Sequence, residues 1–330
     1  MYRASVGITT SMSVSATSWI GDNAETIGID GIWVGEDIGI GQETTILAAD
    51  IMTRTSGIEV GTGIIPIGVH NIATIARASL TLEEIGGGRF NLGLGIGGIQ
   101  DLQKIGINIK KPVSVLRDAV NTLRRLFNGE NVTIESELFS LHSFSLYLQN
   151  PVRVPIVFGV RGPQMLRLAG ELADGVIISG PIEYISDAIS IVNRAAMKAD
   201  RKKHQIRKVA WLPTIPTFKG GSESLAKKVV ALVVADTPIP VLDKLDVDQQ
   251  RAKQIRDAVA EAGPKAGVEF VNQEFIDTFA ISGTKEHMVD RFELLHKLGA
   301  DEVVLGPPFS GNWRTAMTEI FQEIVSRREK

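Results

Sequence analysis

This chain of 330 residues contains no cysteine. That absence excludes disulfides, cysteine-held iron–sulfur clusters and thiol nucleophiles together. Long apolar runs are missing as well. The longest clean one, Val229–Ala235, is far too short to span a bilayer. The first twenty residues carry one Arg among many Ser and Thr, without the apolar stretch of a signal peptide. Neither sign of charge dominates. There are 35 Lys and Arg against 38 Asp and Glu, a net charge of −3, so no nucleic-acid partner is expected. The five histidines, at 70, 142, 204, 287 and 296, show no metal-ligand spacing, and no metal site is expected. The remaining expectation is a soluble cytoplasmic protein whose 44% hydrophobic content supplies a sizeable core.

What the chain does have is glycine at the ends of strand-like runs. Ile58-Glu59-Val60 passes directly into Gly61-Thr62-Gly63, followed by Ile64-Ile65-Pro66. Phe90–Leu94 passes into Gly95-Ile96-Gly97-Gly98 in the same way. Glycine at a strand's end lets a ligand or another backbone come close, and it adopts angles other residues resist. Two such ends, one helix apart, point to a flat cofactor lying across a row of strand ends.

Strand and helix patterns alternate along the chain. Strands are expected at Ala4–Ile8, Gly31–Val34, Ile58–Thr62, Phe90–Gly95, Val154–Phe158, Val176–Ser179, Lys208–Pro213 and Glu302–Leu305. Helices are expected at Trp19–Gly28, Thr44–Arg54, Ala73–Ile85, Pro112–Phe127, Pro163–Ala173, Tyr184–Ala199, Ser222–Ala235, Lys285–Leu298 and Arg314–Arg327. Eight β-then-α units predict a (β/α)8 TIM barrel over residues 1–330 as one domain. Two stretches break the rhythm. Val132–Leu148 alternates and reads as a hairpin inserted after the fourth helix. Thr237–Thr278 reads as a helical excursion between the seventh and eighth helices. Such insertions serve function, or else add surface or a subunit contact.

In such barrels the site lies at the carboxyl ends of the strands. The residues there are Thr9, Glu36, Asp37, Gly61, Thr62, Gly63, Ile64, Gly95, Ile96, Gly97, Gly159, Val160, Arg161, Gly162, Ser179 and Gly180. They are mostly small, with no nucleophile-and-base set among them, so a cofactor is expected to do the chemistry while the protein positions it. Gly93–Gly98 lacks the spacing and the acidic partner of a dinucleotide fingerprint. Gly159–Pro163 reads either as an anion site, with Pro163 opening a helix beneath exposed amides, or as an ordinary tight turn. One of the adjacent carboxylates Glu36 and Asp37 reads as a general acid whose pKa is raised by burial, or one of them caps the next helix. His70 reads as a solvated loop histidine, Trp33 as core, and Lys110 and Lys111 as solvated loop lysines.

Several longer stretches carry a resemblance. They include Gly28–Trp33, Leu92–Gly97, Lys111–Ala119, Val154–Gly159, Gly162–Leu166, Ala169–Gly175, Thr237–Val241 and Phe279–Thr284. With these the chain resembles the bacterial-luciferase-like superfamily of flavin- and coenzyme F420-dependent barrels. Within it, the chain is similar to the archaeal family of methylenetetrahydromethanopterin reductases. The resemblance implies a bulge after the third strand with a cis Gly63–Ile64 peptide supporting the cofactor ring. It implies a hydride passed from reduced F420, a deazaflavin, to a pterin substrate carrying a one-carbon unit. It also implies a homodimer or homotetramer. The family's acid at the end of the first strand corresponds to Thr9 here, its Asp-His pair after the second strand to Glu36-Asp37, and an Arg after the third strand to His70. Glu36 is the expected acid, with Asp37 next. The rival expectations are an FMN-dependent reductase or monooxygenase on the same barrel, and a non-catalytic flavin-binding protein.

Overall fold

The computed structural model describes residues 2–329, with residues 99 and 100 described by backbone alone. Its residues fall into two compact units. One comprises 5–177 with 190–208, and the other 2–4 with 178–189 and 209–329.

The first unit carries strands β1 (Arg3–Thr9), β2 (Gly31–Gly35), β3 (Glu59–Thr62), β4 (Ile65–Pro66), β5 (Phe90–Gly95), β6 (Val132–Glu135), β7 (Ser140–Phe144), β8 (Ile156–Gly159) and β9 (Gly175–Ile178). Its helices are α1 (Val14–Ile27), α2 (Thr44–Arg54), α3 (Ile72–Gly86), α4 (Ile99–Lys104), α5 (Pro112–Phe127) and α6 (Pro163–Leu172), while α7 (Ile182–Lys198) is divided between the two units after residue 189. The pairings β1–β2–β3–β5–β8–β9 are all parallel, in registers such as Gly7↔Trp33, Trp33↔Gly61 and Phe158↔Val176. β2 and β5 are buried at every position, the pattern of strands covered on both faces. Local chemistry sets the ends. Ser13 caps α1 and Gly28 closes it at φ 87, while Pro112 and Pro163 occupy the first turns of α5 and α6.

The second unit carries β10 (Arg207–Pro216), β11 (Ile281–Gly283) and β12 (Glu302–Gly306), with β10 parallel to both others. Its helices are α8 (Glu223–Asp236), α9 (Ile239–Leu242), α10 (Gln249–Ala262), α11 (Pro264–Gly267), α12 (Gln273–Phe279), α13 (Lys285–Lys297) and α14 (Trp313–Arg328). The excursion after α8 is helical, as expected. It buries Leu242, Ile255, Phe275 and Phe279 against Ala226, Val230 and Val234 of α8.

The fold is the expected (β/α)8 barrel class, its eight parallel strands being β1, β2, β3, β5, β8, β9, β10 and β12. The insertion before β8 is the expected hairpin, with β6 antiparallel to β7. Sequence patterns do not mark β4, β11 or α4, and they start α1 too late.

Candidate active site

The third strand is interrupted where glycines flank it. β3 pairs with β5 through Val60↔Phe90 and Gly61↔Asn91, and pairing resumes at Ile65↔Leu94 and Pro66↔Gly95. Between them Thr62–Ile64 leaves the ladder to β5, though Thr62 stays paired with Val34 of β2, and the Gly63–Ile64 peptide is cis, as the resemblance implies. Thr62 fills the gap with its side chain. Its hydroxyl donates to Gly93 O at 3.0 Å and accepts from Gly93 N at 2.8 Å. A side chain thus satisfies two backbone groups that the bulge would otherwise orphan. Gly93 has to be glycine, because a Cβ there would sit 1.8 Å from Thr62 O.

The bulge directs Ile64 into a socket made of missing side chains. A Cβ on Gly159 would lie 2.3 Å from Ile64 Cγ2, and one on Gly95 would lie 3.1 Å from Ile64 Cδ1. Gly61 is small for a different reason, since its Cβ would meet the Trp33 ring at 2.5 Å. Gly97, at φ +90, takes a conformation that favours glycine beside Pro66 and Ile38. Ile96 is half-buried at the end of β5.

The carboxylates after β2 have separate environments. His70 Nε2 lies 2.9 Å from Glu36 Oε1 and 2.8 Å from Oε2, and Thr44 Oγ1 donates to Oε2 at 3.0 Å. The pair is largely enclosed, with side-chain exposures of 20% for His70 and 10% for Glu36. The hydrogen bond to Glu36 raises the His70 pKa above its ordinary value. Burial opposes the rise, and the charges of Glu36 and Glu43 add to it. Asp37 is half-buried, its backbone N–H donates to Thr10 Oγ1 at 2.8 Å, and its carboxylate has no partner among the described residues. Neither residue caps the next helix. Glu43 does, accepting from Ile46 N at 2.7 Å. Thr9 Oγ1 lies 2.7 Å from Ser11 Oγ.

At the end of β8, Gly162 is the N-cap of α6 at φ +80, with nothing within 4 Å of its Cβ position and no side-chain cap. A helix start of this form, with glycine at the cap and no side-chain cap, is one that suits an anion. Arg161 is exposed beside it, whereas Val160 is 6% exposed and belongs to the core. Ser179 and Gly180 follow β9 in the second unit. There Ser179 Oγ donates to Trp211 O at 2.9 Å, and a Cβ on Gly180 would lie 2.8 Å from Tyr184 Cδ1. Lys110 and Lys111 are exposed, with their backbone amides on the Glu137 carboxylate.

The first unit thus holds Thr9, Glu36, Asp37, Gly63, Ile64, Gly95, Ile96, Gly97, Gly159, Arg161 and Gly162 at the ends of its parallel strands. Three residues expected to touch a ligand serve the sheet or the packing in this structure. Thr62 is 0% exposed with its hydroxyl committed to β5, Gly61 makes room for Trp33, and Val160 is buried. His70 is not a solvated loop residue, because Glu36 draws it inward. The sequence signal for it was slight: a histidine just before the cap of α3. Among the described residues no cluster of three or more His, Asp or Glu suits a metal ion, and no helix is long and apolar enough to cross a membrane.

A flat ring with an anionic tail suits these residues. Ile64 is braced from behind by Gly95 and Gly159, and the uncapped α6 terminus lies at the neighbouring strand's end.

Comparison with known proteins gives matches over most of the chain. Residues 2–302 match the model of the luciferase-like monooxygenase family. The chain is 32% identical over 314 residues to 5,10-methylenetetrahydromethanopterin reductase of Archaeoglobus fulgidus, covering 92% of this chain and 93% of that one. It is 30% identical over 310 residues to the enzyme of the same name from Methanolobus tindarius, with the same coverage of 92% and 93%. The solved structure of coenzyme F420-dependent tetrahydromethanopterin reductase from Methanopyrus kandleri superposes with a TM-score of 0.86, covering 99% of each chain at 22% identity. At that identity the likeness speaks for the fold.

Proposed function

The chain belongs to the luciferase-like monooxygenase family, and from that premise we propose that it is an F420-dependent oxidoreductase acting on methylenetetrahydromethanopterin. The observation that carries this reading is the 32% identity to a reductase of that name across 92% of the chain. The fold alone would not suffice, since one barrel hosts many chemistries. The site residues are compatible with it. Ile64, in its glycine socket, would back the ring, with Gly95 and Gly97 beside it. The amides of α6 and Arg161 would hold the anionic tail. Thr9, Glu36 and Asp37 lie at the strand ends where the reacting carbons would meet and the proton would be handled. When bound, the reduced deazaflavin supplies a hydride. The protein's part is to hold donor and acceptor at about 3–3.5 Å and to exclude water. The same reading brings a cytoplasmic location and a homodimer or homotetramer, for which the exposed Val14, Ile40 and Ile46 offer apolar surface.

Absorbance titration of the purified protein with F420 and with FMN, followed by assay with the reduced pterin substrate, tests the proposal. Saturable F420 binding and pterin-dependent oxidation of reduced F420 are expected. Binding of FMN in its place would move the protein to the flavin-dependent branch. F420 binding without turnover would make it a carrier.

A further inference from the structure

Glu36 is surrounded by potential donors rather than acceptors. Thr44 Oγ1 donates to its Oε2, and His70 Nε2 lies within 2.9 Å of Oε1 and 2.8 Å of Oε2. An ionised carboxylate can only accept, and both neighbouring polar atoms are aimed at this one. The contact with Glu36 favours the protonated imidazole, whose Nδ1 has no hydrogen-bond partner among the described residues. The ring is also the more exposed member, at 20% against 10%.

We propose that His70 donates the proton in the reaction and that Glu36, oriented by Thr44, is its positioning residue. This assignment rests on the function proposed above. The His70 imidazolium passes one proton to the pterin nitrogen whose bond to the one-carbon unit breaks. That nitrogen keeps the electron pair of the C–N bond, and the carbon remains as an iminium on the second nitrogen. The hydride that a bound reduced deazaflavin would supply would complete the methyl group. His70 regains its proton from solvent, and the donor releases one proton on oxidation, so the balance closes.

The electrostatic setting favours this division of labour. The charged groups bearing on His70 are Glu36 after β2 and Glu43 at the cap of α2. Opposing them is the N-terminus of α3, whose cap Asn71 follows His70 directly. A helix terminus carries about half a charge. A full carboxylate in hydrogen-bond contact at 2.8 Å outweighs it.

The test has a readout independent of turnover. In cofactor-free protein with labelled histidine, the His70 resonance is assigned by its loss in His70→Gln and followed against pH. It should titrate above an ordinary imidazole, fall in Glu36→Gln and recover partly in Glu36→Asp. In the loaded enzyme, His70→Gln should lower kcat by about 10²–10⁴-fold, leave KM little changed and remove the alkaline limb of the pH profile. Glu36→Gln should move that limb to lower pH, because losing the anion makes the imidazolium more acidic. An unmoved His70 titration in Glu36→Gln, or full turnover in His70→Gln, overturns the assignment alone. Absence of turnover by the unaltered protein overturns the function reading and the assignment with it.

Discussion

Replacing Thr62 by Val preserves the shape of the side chain and deletes its hydroxyl. The structure makes this change severe. Thr62 is 0% exposed, and its Oγ1 serves both Gly93 O at 3.0 Å and Gly93 N at 2.8 Å. On its other edge β5 pairs with β8, so neither Gly93 group has an alternative partner there. An unpaired buried backbone group costs about 1–3 kcal/mol, so the two together cost about 2–6 kcal/mol. Thr62→Ser is the control. It keeps the hydroxyl and loses a methyl, at about 0.5–1.5 kcal/mol by analogy with Ile→Val. Urea unfolding of the three proteins should therefore rank them wild type, Ser, Val. Hydrogen exchange at the Gly93 amide reads the bond directly and should accelerate in Val but not in Ser. A Val variant as stable as the Ser variant, with Gly93 still protected, would refute the idea that this hydroxyl replaces the ladder.

Two further outcomes are expected. Gly159→Ala forces a Cβ to 2.3 Å from Ile64 Cγ2, far inside the ~3.5–4.0 Å of ordinary carbon contacts. It should destabilise by about 1–3 kcal/mol, and Ile64→Ala in the same chain should recover most of that. Additive effects in the double-mutant cycle would dismiss the socket. The second outcome follows from His70, whose folded pKa is raised mainly by the Glu36 hydrogen bond. Its contribution to stability is complete below the unfolded imidazole value of about 6.5 and is lost as pH rises through the folded value. Unfolding midpoints taken across that window should depend less on pH in His70→Gln than in wild type, and equal slopes would count against the pairing.

Elements with strong local punctuation were legible from sequence to the residue. Pro112 opens α5, and β5 ends in its glycine run, both at the expected positions. The start of α1 was not, because Val14–Ser18 is rich in Ser, Thr and Val, weak helix formers that the Ser13 cap and the burial of Thr17 help to hold in place. The two-residue β4 and three-residue β11 are too short to leave a periodic signal. At the site, glycine-edged strand ends announced themselves, since glycine marks close approach whatever approaches. Sequence does not tell a ligand from a side chain, however. Gly61 faces Trp33, and Gly159 faces Ile64. The pairing of His70 with Glu36 joins residues 34 apart through tertiary geometry, and no local pattern encodes it.

The β6–β7 hairpin contributes no residue to the site, yet its tip touches two connections that border it. Glu137 accepts from the amides of Lys110 at 2.5 Å and Lys111 at 3.0 Å. Leu138 Cδ1 lies 3.7 Å from the Cβ position of Gly68, two residues before His70. The barrel strands would keep their registers if this hairpin were trimmed, because it forms a sheet of its own. The histidine's loop would lose a wall. An inherited change in hairpin length therefore acts as a tuning peg. It alters how firmly the loop bearing a reactive group is held, while every site residue and every barrel strand stays the same.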